Sequence, residues 1–149
     1  MLTEDMKKLI SEHRAGMVAS VNDDGSPSVS PKATFVILDD ETLAFGNLRS
    51  PGTIKNINQR PSAEVCFIDV LARKAVRVTG TAKYLKNDEV SDALRAAFEE
   101  VWADFLDRFA GVGEIKVNAA EYILSPAYDM GITESELREA NLAHLQSLS

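Results

Sequence analysis

Residues 16–46 read GMVASVNDDGSPSVSPKATFVILDDETLAFG, and this stretch decides the predicted fold. Short apolar segments alternate in it with two turn-forming clusters, Asn22-Asp23-Asp24-Gly25 and Asp39-Asp40-Glu41. Amide and acidic residues next to glycine favour tight turns between antiparallel strands. The pattern predicts a β-meander, whose strands are Met17–Val21, Ser28–Leu38 (interrupted at Pro31) and Thr42–Gly46.

The flanking segments extend this meander into a larger domain. Helices are predicted over residues 3–14, 50–59, 87–109 and 133–148, and further strands over 63–70, 74–85 and 115–124. Ser50 suits an N-cap and Pro51 a first helical position, whereas Gly111-Val112-Gly113 is predicted to end the third helix. We expect one mainly β, α+β domain over residues 1–149, with about six mostly antiparallel strands in a small barrel or sandwich. The last helix, over 133–148, is an appendage to it.

The charge of the chain is acidic but unevenly distributed. The 149 residues carry 16 Lys and Arg against 23 Asp and Glu, a net charge of −7. Residues 1–85 hold 11 basic and 10 acidic side chains, whereas residues 86–149 hold 5 and 13. An acidic protein is repelled by nucleic acids and anionic membranes, so neither is expected as a partner. The near-neutral first part remains suited to an anionic ligand.

Cysteine and histidine are scarce, which excludes several classes of site. The single Cys66 allows no internal disulfide, and the separated His13 and His144 give no zinc-binding pattern, so no metal is expected. No signal peptide and no apolar segment of membrane-spanning length is visible. We therefore expect a cytoplasmic protein. P-loop, dinucleotide-binding and nucleophile-elbow motifs are absent, and no catalytic side chain is assigned.

The clearest chemical signal is the segment Asn47-Leu48-Arg49-Ser50-Pro51-Gly52-Thr53-Ile54-Lys55-Asn56. Here a predicted strand ends and a helix begins, with Ser, Pro, Gly and Thr in its first turn. The N–H groups and the dipole of such a turn favour an anion, and Arg49 adds a guanidinium. The segment is therefore either a phosphate-binding turn or an ordinary capped helix beside a surface arginine.

Two further segments, one around Pro31 and one at Arg73, contain basic residues that could contribute to a ligand site. Ser30-Pro31-Lys32 interrupts a predicted strand, and proline within a strand indicates an edge or a bulge that redirects side chains. The segment is either one wall of a ligand groove or a frayed edge. Arg73 and Lys74 form a basic spot at a predicted turn.

The order and spacing of these segments resemble the pyridoxamine 5'-phosphate oxidase-like FMN-binding split-barrel family, and its branch of small flavin-nucleotide-binding proteins. The resemblance covers roughly residues 3–125. The residues that carry it are Gly16–Val21, Asp24-Gly25-Ser26-Pro27, Ser30-Pro31-Lys32, Leu43–Gly46, Arg49-Ser50, Thr53 and Asn56-Ile57. Ser125-Pro126-Ala127-Tyr128-Asp129 also resembles that small branch.

The resemblance implies a six-stranded antiparallel Greek-key split β-barrel with flanking helices, which forms a homodimer with FMN in grooves between the subunits. By the same resemblance, Ser30, Pro31 and Lys32 would line the ribityl chain and the ring edge. Phe45, Gly46 and Asn47 would contact the ring largely through their backbone. The remaining implied contacts are Arg49, Ser50 and Thr53 with the phosphate, Asn56 in the adjoining turn, and Arg73 and Lys74 with the partner subunit's flavin. Apart from the resemblance, Tyr128 is a candidate for covering the ring.

The sequence also departs from the family pattern. Many relatives carry a lysine near Pro51 or Gly52, so Arg49 and Lys32 must supply the positive charge here. The C-terminal arginine–histidine motif of true pyridoxamine phosphate oxidases is absent, and we expect no oxidation of pyridoxamine phosphate. The leading hypothesis is an FMN-dependent oxidoreductase of unknown substrate. The alternatives are a non-catalytic flavin carrier, a groove that takes deazaflavin or haem, and a small barrel that binds single-stranded nucleic acid.

Overall fold

Seven strands form one antiparallel sheet in the computed structural model, which describes residues 1–149. The strands are β1 (Gly16–Val21), β2 (Pro27–Lys32), β3 (Phe35–Asp39), β4 (Thr42–Asn47), β5 (Ser62–Asp69), β6 (Lys74–Lys86) and β7 (Gly111–Leu124). The helices are α1 (Glu4–Glu12), α2 (Pro51–Gln59), α3 (Asp92–Trp102) and α4 (Glu134–Ser147). The predicted α+β class is confirmed, and the sheet is consistent with a split barrel, but the strand number of six is wrong.

The seventh strand arises because the segment predicted as one strand over Ser28–Leu38 is two. β2 pairs with β1, whereas β3 pairs with β4. The break falls not at Pro31, which lies within β2, but at Ala33 and Thr34. Thr34 bonds to β4 instead: its hydroxyl donates to the carbonyl oxygen of Gly46 (2.7 Å), and its own carbonyl accepts from the Gly46 N–H (3.0 Å).

The strand order shows that the sheet curls almost into a closed barrel. Its order is β2-β1-β5-β6-β7-β4-β3, so β2 and β3 form its two opposite edges. Only Ala33 and Thr34 separate them along the chain. Three Cα–Cα steps span at most about 11 Å, so the two edges must approach each other there. The result is a barrel split between β2 and β3, which places the ends of β2 and β4 side by side.

Two apolar clusters stabilise this barrel. The first lies on the inner face of the sheet around Phe45 and Phe67, and it is completed by Met6, Leu9 and Ile10 of α1 together with Ile57 of α2. The second lies on the other face of β3 and β4, where Val36 and Ala44 pack with Leu94 and Phe98 of α3 and with Phe109. Full burial of a side chain such as Phe45 stabilises the fold by roughly 1.5–3 kcal/mol.

The helix predicted over residues 87–109 is shorter than its apolar stripe indicates. Ser91 accepts a hydrogen bond from the Leu94 N–H (3.2 Å) and so starts α3 anew after a single 3-10 turn. Beyond Trp102 the chain continues as a 3-10 segment to Arg108. The indole of Trp102 donates to the carbonyl of Phe35 (2.9 Å) and thereby occupies part of the exposed edge of β3.

The glycines predicted to end that helix belong to β7, which starts at Gly111 and not at Ile115. A Cβ on Gly113 would lie 2.3 Å from the Phe45 ring, so only glycine fits this strand position. The predicted cap of α4 is confirmed, since the Thr133 hydroxyl accepts from the Glu136 N–H (3.2 Å). None of the helices combines the length and the apolar character that crossing a bilayer requires.

Candidate functional site

The start of α2 leaves several hydrogen-bond donors without acceptors in the protein. Ser50 occupies the N-cap, but its side chain makes no capping bond. The first helical bond is that from the Ile54 N–H to the Ser50 carbonyl (3.0 Å), and Pro51 has no N–H. The N–H groups of Gly52 and Thr53 therefore point out of the helix end. No acidic side chain lies in this first turn to satisfy them.

The side chains around this turn are also largely unmatched, that is, without hydrogen-bond or ion-pair partners in the protein. The hydroxyl-bearing Ser50 and Thr53 are buried, with 8% and 7% exposure. Arg49 is exposed and forms no ion pair with any carboxylate of the chain. A Cβ on Gly52 would meet no atom within 4 Å, so space adjoins the helix terminus. The turn therefore combines directed donors, one uncompensated cation and room for a ligand.

Asn47 supplies a buried polar atom without a partner. It is the last residue of β4, it is 9% exposed, and its Oδ1 makes no hydrogen bond. By the alternation of a strand, its side chain lies on the same face as Phe45, which belongs to the inner core. A buried acceptor left without a donor costs about 1–3 kcal/mol. The sequence predicts only backbone contacts for Asn47. The structure adds its buried, unpaired side-chain oxygen, which no sequence pattern indicates.

Lys32 and Ser30 lie close to this turn because Thr34 ties the end of β2 to β4. Thr34 bonds to Gly46, the residue before Asn47, and Lys32 is two residues before Thr34. The Lys32 ammonium donates to the Ser30 hydroxyl (2.7 Å) and faces no carboxylate. Partial burial lowers the pKa of Lys32. Pro31, opposite Met17, lies on the outer face of the sheet.

Asn56 lines a cleft beside α2, and its side-chain amide also fixes the helix in place. Its amide donates to the Ser20 hydroxyl (3.0 Å) and to Asn22 Oδ1 (2.9 Å), which joins the helix to β1. Arg60 adds a bond to the Val21 carbonyl (2.8 Å). This open cleft has a volume of about 490 Å³, is lined by no hydrophobic residue, and lies between the β1–β2 turn and the Gly52 side of α2. Neither Ser20 nor Asn22 is distinguishable as an anchor from sequence alone.

Phe45 and Gly46 are enclosed by their own strand neighbours. Phe45 pairs with Phe35 on one side and Gly113 on the other, and it is 1% exposed. A Cβ on Gly46 would lie 2.3 Å from the Phe109 ring, so this face of β4 is filled by the second core cluster. These residues therefore form the packed strand that leads into the start of α2. Their predicted contact with a flavin ring stays a prediction.

Arg73 and Lys74 lie far from this turn. Gly111 at the start of β7 pairs with Asn47, whereas Leu124 at its end pairs with Lys74. Thirteen residue steps of strand correspond to about 40 Å along the chain.

The Lys74 ammonium forms an ion pair with Glu134 that raises the pKa of Lys74, and Arg73 donates to Asn141 (3.3 Å). Tyr128 also lies here, donating its hydroxyl to the Ala72 carbonyl (2.6 Å).

The β5–β6 turn that carries Arg73 is organised by Asp69, which no sequence pattern singles out. Asp69 is 4% exposed, and its Oδ1 accepts from the N–H groups of Leu71 and Ala72, both at 3.0 Å. Its Oδ2 lies 2.7 Å from Arg138 and 3.3 Å from His13. Burial by itself would raise the pKa of Asp69, but these hydrogen bonds and charges together lower it.

Comparisons with known proteins give a family and several similar structures. The family model described as pyridoxamine 5'-phosphate oxidase matches residues 2–124. HupZ from Group A Streptococcus is 27% identical, with a TM-score of 0.71 over 84% of this chain and 96% of that one. General Stress Protein 26 from Bacillus anthracis is 22% identical, with a TM-score of 0.60 over 80% and 92%.

An FMN-binding protein from Syntrophomonas wolfei is 12% identical, with a TM-score of 0.64 over 82% of this chain and 86% of that one. At the identities of the last two structures, the similarity shows the fold alone. No curated protein sequence matches the chain significantly.

Proposed function

The chain belongs to the pyridoxamine 5'-phosphate oxidase family, and from this membership and the geometry of α2 we propose that it is an FMN-binding oxidoreductase. The cofactor would be held non-covalently in a groove between two copies of the chain. The family description supports an oxidoreductase at the level of class. The observation that carries the FMN proposal is the unmatched polar cluster at the start of α2.

The residues present fit the phosphate end of FMN. A phosphate needs several N–H or O–H donors and positive charge, and α2 offers the N–H groups of Gly52 and Thr53 at the positive end of its dipole. Ser50 and Thr53 add hydroxyls, and Arg49 adds a guanidinium without a carboxylate partner. The nearby Asp23 is already neutralised by Lys55 (3.1 Å) and Arg60 (2.9 Å).

The groove for the flavin ring requires a second copy of the chain. The outer face of β1, β2 and β5 is covered by no helix of its own protomer, and it exposes Met17, Val29 and Ile68 by 46%, 65% and 45%. Contiguous exposed apolar residues are typical of an interface. We propose that this face pairs with a second copy, and that Arg73 and Lys74 reach the flavin of the partner.

Bound FMN would supply the redox chemistry, and the side chains of this chain bind and orient it. Asn47 presents its amide toward the inner face at the end of β4, where it would pair with a polar edge of the ligand. Lys32 supplies a positive charge near the same place. No histidine, cysteine or carboxylate belongs to the set of predicted contacts, so no general acid or base is assigned.

That absence favours one second candidate, a flavin carrier that does not turn over. Stopped-flow mixing of the FMN-loaded protein with reduced nicotinamides and other donors separates the two candidates. An oxidoreductase shows rapid bleaching of the flavin absorbance with at least one donor. A carrier shows none with any donor, and pyridoxamine phosphate is expected to be inert in either case.

The FMN proposal is tested by titrating the protein with FMN and following the visible spectrum. Saturable binding with a shifted flavin band is expected. Arg49→Ala should weaken binding by about ten- to a hundredfold, the value of one charged hydrogen bond. Lys83→Ala removes an exposed lysine on β6 and serves as the matched control. Equal effects of the two substitutions would refute the phosphate assignment, and the same titration with a deazaflavin compares that alternative.

A further inference from the structure

A cavity lies between α3, the 3-10 segment Ala103–Arg108 that follows it, and the start of β7. Its volume is about 260 Å³, roughly that of nine water molecules in the liquid. Protein interiors are packed so closely that voids larger than one water molecule are few. A space of this size is therefore large enough for a ligand of about nine non-hydrogen atoms.

The floor of the cavity is apolar. Phe98, Phe109 and Val112 line it, and all three are buried members of the second apolar cluster. The rings of Phe98 and Phe109 meet edge to face, with centroids 5.3 Å apart. Half-buried Val90 and Leu106 complete the apolar lining. Such a lining favours an aliphatic or aromatic group, because the contact removes apolar surface from water.

The mouth of the cavity carries the exposed polar residues Asn87, Arg95 and Asp107. The Asn87 amide donates to the Phe109 carbonyl (2.9 Å), and Arg95 Nη2 donates to the Asn87 carbonyl (2.7 Å). These bonds hold the Arg95 guanidinium at the mouth, yet neither Arg95 nor Asp107 forms an ion pair with any residue of the chain. One cation and one anion therefore border the same apolar cavity without pairing with each other.

We propose that this cavity binds a free apolar α-amino acid of about the size of leucine or methionine. The apolar side chain of the ligand fills the space over Phe98 and Phe109. Its α-carboxylate pairs with Arg95, and its α-ammonium pairs with Asp107. Each charge of the ligand thus meets an opposite charge in a charge-assisted hydrogen bond. A mostly apolar cavity with a few polar groups at defined places is typical of small-molecule sites.

The charges around the cavity favour an amino acid over a simple acid or amine. Residues 86–109 carry three basic and seven acidic side chains. An apolar carboxylate meets this excess of negative charge and leaves Asp107 unpaired beside it. An apolar amine pairs with Asp107 but brings its charge next to the Arg95 guanidinium. An amino acid satisfies both residues and adds no net charge. None of these residues belongs to the start of α2, so the site goes beyond the proposed function and does not depend on it.

Two-dimensional NMR titration of the full-length protein tests this site. L-Leucine and L-methionine are each added to about 10 mM, where a ligand with a Kd of about 1 mM is roughly nine-tenths bound. Saturable shifts of the amide signals of Val90, Phe98 and Val112 are expected. Isocaproate has the leucine skeleton without the ammonium, and isoamylamine has it without the carboxylate. Each should bind at least about tenfold more weakly than leucine, since each lacks one charged hydrogen bond.

Two substitutions separate the roles of the charged residues. Arg95→Gln should weaken leucine binding by about tenfold or more and abolish the preference for leucine over isoamylamine. Asp107→Asn should abolish the preference for leucine over isocaproate. Arg108→Gln and Asp104→Asn change exposed charges of the 3-10 segment that do not line the cavity, and they serve as matched controls. They should alter leucine affinity by less than about twofold, and circular dichroism checks the fold of each variant.

Three results would each overturn the proposal. They are the absence of shifts with both amino acids, equal binding of leucine, isocaproate and isoamylamine, and equal losses in Arg95→Gln and Arg108→Gln. An FMN titration of the same sample keeps the two sites distinct. Leucine binding without FMN uptake refutes the proposed function alone, and FMN uptake without amino-acid binding refutes this site alone.

Discussion

The two ends of β7 carry the two polar regions of this protein, and the regions differ in how well their groups are matched. At the Gly111 end, the start of α2 leaves donors, the Arg49 guanidinium and Asn47 Oδ1 without partners. At the Leu124 end, both oxygens of Asp69 are bonded, and Lys74 is paired with Glu134. Matched polar groups stabilise a fold, whereas unmatched ones cost stability and are typical of sites that a ligand completes.

The largest effect is expected at the matched end. Asp69→Ala should lower the free energy of unfolding by about 2–4 kcal/mol, because it leaves two N–H groups of the turn without an acceptor and removes the partner of the partly exposed Arg138. Urea denaturation followed by circular dichroism measures this change. Glu64→Ala, which alters an exposed carboxylate on the same strand, is the control and should have little effect. A loss below 1 kcal/mol for Asp69→Ala would break the contrast between the two ends.

At the unmatched end, Asn47→Leu should have opposite effects on stability and on binding. Leucine has a similar size and removes a buried acceptor that has no donor. The free energy of unfolding of the apoprotein should therefore stay the same or rise by up to about 1–3 kcal/mol. FMN binding should weaken by about tenfold, the value of one hydrogen bond to the ligand. Thermal unfolding and a flavin titration of the same sample measure both. Loss of stability together with unchanged FMN affinity would show that Asn47 serves the fold.

The pH dependence of stability should also follow Asp69. The pKa of this carboxyl is lowered in the folded protein, so its contribution is fully present above its unfolded pKa of about 3.9 and is lost as pH falls through the lower folded value. The difference in unfolding free energy between wild type and Asp69→Asn should therefore be constant at neutral pH and shrink below about pH 4. Chemical denaturation at a series of pH values measures it. A difference that grows on acidification would contradict the assignment.

The smallest effect is expected at Lys55, which lies beside the α2 terminus but is paired with Asp23, both about 60% exposed. Exposed ion pairs contribute about 0–1 kcal/mol, so Lys55→Ala should hardly change stability. Its effect on FMN affinity should also be well below that of Arg49→Ala. Calorimetric titration of the two variants side by side measures the ranking, and a reversed ranking would move the phosphate contact from Arg49 to Lys55.

Local patterns predicted the start of α2 well, because capping and helix-start preferences act within a few residues. The positions of Ser50 and Pro51 and the cap of α4 at Thr133 are examples. The division of Ser28–Leu38 could not be predicted, because it depends on the choice of different partners, β1 and β4, that are distant in sequence. For the same reason the glycines before Ile115 gave no sign of β7: the ring of Phe45 explains Gly113 only once the strands are paired.

The site shows the same division between local and distant information. Arg49, Ser50 and Thr53 were predicted together because one turn carries them. The engagement of Asn56 with Ser20 and the isolation of Asn47 Oδ1 depend on how strands meet at the split, which no local pattern encodes. Asp69 looks like one more turn residue in the sequence, and its role appears only when α1 and α4 converge on it.

The unmatched start of α2 is the proposed binding site for the phosphate of a flavin nucleotide. Calorimetric titration with FMN and with riboflavin, which has the same ring without the phosphate, tests this directly in the wild type and in Arg49→Ala. We predict that the wild type binds FMN at least about a hundredfold more tightly than riboflavin, since several charge-assisted hydrogen bonds are involved. In Arg49→Ala this preference should fall about tenfold or more while riboflavin affinity stays the same. Equal affinity for the two ligands, or a preference that Arg49→Ala leaves intact, would contradict the claim.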